Sequence, residues 1–85
     1  MKLIYSYHYT NIYKNAGFPE LVTTKFKKIL KQIKNDLENG KIELVTGKSG
    51  SYKDLYKQIK FLKSYEAVNF LIDNLDYCYI AVWEE

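Results

Sequence analysis

The chain contains no arginine: all thirteen of its basic residues are lysine. This removes the planar, five-donor guanidinium that reads guanine edges and grips phosphates or carboxylates at two points. A single cysteine, Cys78, excludes an internal disulfide, and with it any disulfide framework of the kind secreted domains use. One histidine and one cysteine cannot build a tetrahedral zinc site without carboxylates at suitable spacing, and no such spacing is present. No apolar run approaches the roughly 18 residues of a membrane span, and no basic-then-apolar leader opens the chain. The expectation is a cytoplasmic protein with no membrane segment, cofactor or metal.

What is present is a chain of 85 residues, 47% hydrophobic, which argues for one domain over residues 1–85 with a modest core. Lys, Asn, Ile, Tyr and Phe are abundant, the residues that A/T-rich codons favour. A low-GC bacterium, or one of its phages or mobile elements, is the source this composition suggests. The charge is unevenly placed. Residues 1–63 hold all thirteen lysines against five acids, a net of +8, whereas residues 64–85 hold no lysine and five acids, a net of −5. Such asymmetry points to a partner selected electrostatically or to head-to-tail self-association.

Residues 2–10 alternate as a strand with Tyr5, Tyr7 and Tyr9 on one side. The opposite side, Ile4, Ser6, His8 and Thr10, is too polar for a core face, so the tyrosines are the inward set, with hydroxyls reaching the rim. Pro19 and Glu20 suit the first turn of a helix, and Val22, Phe26, Ile29, Leu30, Ile33 and Leu37 follow at helical spacing. Asn39-Gly40 is the stop. Residues 41–47 read as a short strand. Ser51, with Asp54 three residues on, caps a helix whose stripe is Tyr52, Leu55, Tyr56, Ile59 and Leu62. Ser64 restarts or bends the helix into Val68, Leu71, Ile72 and Leu75, while the competing reading makes residues 68–72 a strand in a hairpin turning at Asp73-Asn74. Residues 76–85 form a strand apolar on both faces. The expected fold is α+β in the order β-α-β-α-α-β, a three-stranded sheet with the C-terminal strand central and amphipathic helices packed on it. KQIK recurs at an offset of 26, which two lysine-rich amphipathic helices reach by convergence more readily than by duplication.

No catalytic constellation emerges. A Walker A loop would need glycine where Ile42 stands, so the GKSGS turn is not a P-loop. Gly47, Lys48, Gly50 and Ser51 are at most a weak anion site at a helix start. His8 has only Ser6, Thr10 and tyrosines as near neighbours in sequence and no acid among them, so it reads as a surface or half-buried histidine, and Cys78 reads as a small buried hydrophobe. The chain is therefore read as non-enzymatic. Lys27, Lys28, Lys31 and Lys34 fall opposite the first helix's apolar stripe, and Lys53, Lys57 and Lys60 flank that of the second; these form the candidate basic patch. Phe61 and Phe70 stand off the helical stripes. Together with Tyr13, Tyr77, Tyr79 and Trp83 they are the candidate partner contacts, since clustered exposed aromatics mark interfaces. The favoured expectation is a small protein-binding module, an inhibitor or adaptor that occupies a partner protein's surface, with a host or defence protein as the partner if the source is a phage or mobile element. The alternative is a lysine-rich nucleic-acid-binding module that stacks bases on sheet aromatics and tracks phosphates with basic helices. A homodimer through a sheet edge or the tyrosine face is compatible with either.

Overall fold

The computed structural model describes residues 2–10, 18–45 and 51–85. Its elements are β1 (Leu3–Tyr9), β2 (Leu21–Thr23), α1 (Phe26–Glu38), β3 (Glu43–Leu44), α2 (Tyr52–Ile59), α3 (Ser64–Asn74), β4 (Leu75–Asp76) and β5 (Cys78–Glu84). The fold is α+β, and the β-α-β-α-α-β order holds with two short strands, β2 and β4, added to it. Residues 64–74 are helical, which settles the helix-or-hairpin ambiguity in favour of the helix.

The sheet departs from expectation in its strand order. It has three antiparallel strands in the order β2-β1-β5, so the N-terminal strand is central and the C-terminal strand lies at an edge. The third member is β2, from a stretch expected to begin the first helix. Leu21-Val22-Thr23-Thr24 has three β-branched residues in a row, which favours extended backbone. The Glu20 amide donates to the Tyr7 carbonyl at 2.7 Å and ties the segment to β1. α1 then starts only at Phe26, with Val22 left on the sheet. Of the strand expected at 41–47, Glu43 and Leu44 form β3, which pairs with β4 in a separate two-stranded ladder, while 46 and 47 lie outside the described residues. Between β4 and β5 the chain turns at Tyr77, a non-glycine residue with φ of 75°. This left-handed residue is why 76–85 is two strands in two sheets and not one.

Helix ends follow local chemistry. Gly40, at φ 74°, closes α1 in a Schellman motif: its amide donates to the Leu37 carbonyl and the Lys41 amide to the Asp36 carbonyl. Ser51 caps α2, its Oγ accepting from the Asp54 amide at 3.3 Å. α2 ends at Ile59, short of the expected Leu62, and Lys63 leads directly into α3.

Strand register sorts the side chains. Tyr5 stands opposite Val82, Tyr7 opposite Ile80 and Tyr9 opposite Cys78, and this row faces the helices. Below it pack Ile29 and Ile33 of α1, Leu55 and Ile59 of α2, and Val68 and Leu71 of α3. Each such fully buried aliphatic contributes on the order of 2 kcal/mol through area removed from water. The Phe26 ring lies 5.2 Å from that of Tyr5, locking the start of α1 onto the central strand.

Candidate functional site

The same register that buries Tyr5, Tyr7 and Tyr9 puts a second row on the far side of the sheet. Ile4 stands opposite Trp83, Ser6 opposite both Ala81 and Val22, and His8 opposite Tyr79. Among the described residues no helix covers this row. Val22, Tyr79 and Trp83 are 54%, 50% and 43% exposed, large values for residues of this kind. The His8 and Tyr79 rings are 6.4 Å apart, and His8 Nε2 lies 2.8 Å from Ser6 Oγ, so the polar groups of the face are partly engaged with one another. β5, which presents Tyr79 and Trp83, pairs with β1 on one edge and has no strand partner on the other among the described residues. The result is an apolar, aromatic sheet face beside a strand edge that is unpaired among the described residues.

The other partner candidates are dispersed. Phe61 lies in the turn after α2, 81% exposed, with Lys60 Nζ 5.1 Å from its ring centroid. Phe70 is half-buried and packs against the core. Tyr77 is partly exposed at the β4–β5 turn, and Tyr13 lies outside the described residues. Gly47, Lys48 and Gly50 of the anion-site candidate also lie outside them. Ser51 Oγ is already engaged: it caps α2 and lies 3.1 Å from the Asp54 carboxylate, whose own negative charge occupies that helix start. Lys27, Lys28, Lys31, Lys34, Lys53, Lys57 and Lys60 are all exposed on the helical layer.

The arrangement needed for a stacking platform flanked by lysines is not assembled. β1 and β5 are neighbours, as that reading requires, but their register places Tyr5, Tyr7 and Tyr9 on the inner face and Tyr79 and Trp83 on the outer one. The lysines of α1 lie beyond the inner face, across the sheet from Trp83.

A polar cluster that sequence reasoning overlooked sits inside the fold. Asp36, 1% exposed, accepts hydrogen bonds from Tyr7 Oη at 2.7 Å and Tyr9 Oη at 2.6 Å, both on Oδ2, and from Gln32 Nε2 at 3.1 Å on Oδ1. The tyrosine hydroxyls therefore end in the interior and not at the rim. Burial first, and then the hydrogen bond to Asp36, pushes both hydroxyls far above the ordinary tyrosine range. Burial, aided by the Asp36 charge, pushes the nearby Cys78 thiol up to about 12. These groups are held protonated at neutral pH, the reverse of an activated nucleophile or base. A signal existed: Asp36 follows Ile29 and Ile33 at helical spacing, so an acid occupies the buried stripe opposite the strand tyrosines.

Among the described residues no helix is long and apolar enough to cross a membrane, and no three His, Cys, Asp or Glu gather as metal ligands. No family model, curated protein or solved structure matches the chain.

Proposed function

We propose that this chain is a small non-enzymatic protein-binding module, an inhibitor or adaptor that acts by occupying a partner protein's surface. The sheet face that no described helix covers carries the proposal: exposed Trp83, Tyr79 and Val22, with half-buried Ile4, form an apolar row on the side of the sheet away from the helices. Trp and Tyr combine large contact area with few rotatable bonds and a polar tip, and they dominate the energetics of protein interfaces. The edge of β5 that has no strand partner among the described residues adds a line of main-chain donors and acceptors, so a partner strand can extend the sheet while its side chains meet the aromatic row. The lysine-rich, low-GC composition agrees with a bacterial, phage or mobile-element origin, for which the partner would be a host or defence protein.

The test is affinity capture from a nuclease-treated lysate of the source cell, with the wild-type chain and with Tyr79→Ala/Trp83→Ala as baits. One stoichiometric protein held by the first and lost by the second is the expected result. No specific capture, or capture equal for both baits, counts against the proposal.

A second reading, nucleic-acid binding, has the exposed lysine row of α1 in its support. The separation of that row from the sheet aromatics means that phosphates and bases would not be met by one surface. Affinity for a single-stranded oligonucleotide is accordingly expected to be weak and to vanish by physiological salt. Tight binding with a steep salt slope, abolished by Lys27→Glu/Lys31→Glu/Lys34→Glu, would reverse the order of the two readings.

A further inference from the structure

A groove runs along the helical layer, remote from the sheet face. Its wide part, about 790 Å³, lies between the second half of α1, the β3 segment and the start of α2, with Leu37, Ile42, Leu44 and Tyr52 on its walls. Lys34, Tyr52 and Tyr56 continue it into a narrower cleft of about 300 Å³ that reaches Leu30. The Tyr52 and Tyr56 rings stack on one another, 6.2 Å between centroids and 29° between planes, where the two parts meet. From Lys27 to Glu38 the α1 wall is about 16 Å long at 1.5 Å per residue.

Charge is graded along this groove. Lys27, Lys31 and Lys34 line the α1 side one helical turn apart, and Lys53 stands on the α2 side. Glu38 and Glu43 occur only at the wide end. All six are exposed. The walls combine branched aliphatic side chains with a lysine row, which describes a ligand with apolar anchors and negative charge on one edge.

We infer that the α1–α2 groove is a docking site for an acidic amphipathic peptide segment about three helical turns long. Its apolar anchors, spaced three or four residues apart, fill the aliphatic walls, and its carboxylates run beside Lys27, Lys31 and Lys34. Nucleic acid fits this site less well. Bases stack on flat aromatic surfaces, and here the two tyrosines stack on one another while the remaining walls are aliphatic. Glu38 and Glu43 would also repel a phosphate chain continuing into the wide end. The inference does not depend on the sheet-face proposal, because the two surfaces share no residue.

The experiment is selection of a random 12-residue peptide library on the full chain, followed by affinity measurement for an enriched peptide and for a 12-nucleotide oligo(dT). Enriched sequences are expected to carry net negative charge and two apolar anchors three or four residues apart. Lys27→Glu/Lys31→Glu/Lys34→Glu should weaken their binding roughly tenfold or more, while Tyr79→Ala/Trp83→Ala should leave it unchanged. Tyr56→Ala, at a partly exposed position, makes the same comparison if the charge-reversed variant does not fold. No enrichment, enrichment without acidic bias, undiminished binding by the folded groove variants, or tighter binding of oligo(dT) than of peptide would each overturn the assignment.

Discussion

Tyr7 donates a hydrogen bond of 2.7 Å to Asp36, a residue 29 positions further along the chain, with both side chains buried. Among the described residues the carboxylate's hydrogen-bond partners are two phenols and one amide. Neutral donors of this kind satisfy a buried acceptor without bringing a second desolvated charge into the core. The cluster joins the last turn of α1 to the central strand, so it fixes how far the helix can slide or rotate over the sheet.

Removing the acceptor should cost more than removing either donor. Asp36→Ala leaves two buried hydroxyls unpaired and is expected to lower stability by about 3 kcal/mol. Tyr7→Phe and Tyr9→Phe each remove one hydrogen bond to a charged group, about 1–2 kcal/mol apiece. Because both act on Oδ2 of one carboxylate, their double variant should depart from the sum of the two. Urea denaturation of the four proteins measures all of this.

Alkaline pH should unfold the protein through the same groups. The Tyr7 and Tyr9 hydroxyls sit above their ordinary value of 10.0 in the fold, and Cys78 sits at about 12 against 9.0. A folded-state pKa raised above the unfolded one means stability that is complete below the unfolded value and lost as pH rises through the folded one. Stability should therefore start to fall near pH 9 through Cys78 and more steeply above pH 10 through the tyrosines. Urea midpoints at pH 8, 9.5 and 10.5 should decline in that order, and Tyr7→Phe should flatten the last step.

The same burial governs thiol chemistry. Cys78 is 8% exposed and its thiol is held protonated, so reaction with an aromatic disulfide reagent at pH 8 should be slow in buffer and rapid in denaturant. Equal rates in the two conditions would show that β5 is not packed as described.

Two turns with positive φ respond oppositely to glycine exchange. Tyr77→Gly should stabilise by up to about 1 kcal/mol, since glycine adopts the left-handed region without a Cβ penalty. Gly40→Ala, at φ 74°, should destabilise by about 1 kcal/mol for the converse reason, even though a Cβ there meets nothing within 4 Å. Thermal melts of both variants provide the check.

Much of the fold is legible where local chemistry and tertiary contact agree. The alternation of Tyr5, Tyr7 and Tyr9, the Ile29–Ile33 stripe, the Asn39-Gly40 stop and the Ser51 cap each mark an element that the structure contains. β2 is not legible, because three residues have too little periodicity to outweigh a helix signal that runs on behind them, and only pairing with β1 makes them a strand. Strand order is not legible either: β5, apolar on both faces, resembles a central strand, but its outer row faces none of the described helices. Of the outer sheet face, only the alternation that sets Tyr79 and Trp83 on one side of the last strand is legible. Val22 and Ile4 join it through cross-strand register alone. The α1–α2 groove depends on how two helices and β3 approach one another, which no spacing within either helix encodes.

The position of β1 between β2 and β5 has a consequence in time. Its first neighbour follows within about 20 residues, but its second, residues 78–84, emerges from the ribosome some 70 residues later, roughly 4–14 seconds at ordinary elongation rates. Through that interval one flank of the tyrosine strand has no native partner, and Tyr7 and Tyr9 can reach Asp36 only once α1 has been made and has docked. The nascent chain thus passes through a stage in which its most aromatic strand is half-sheltered. This is the period in which a chaperone or a second nascent copy would meet it.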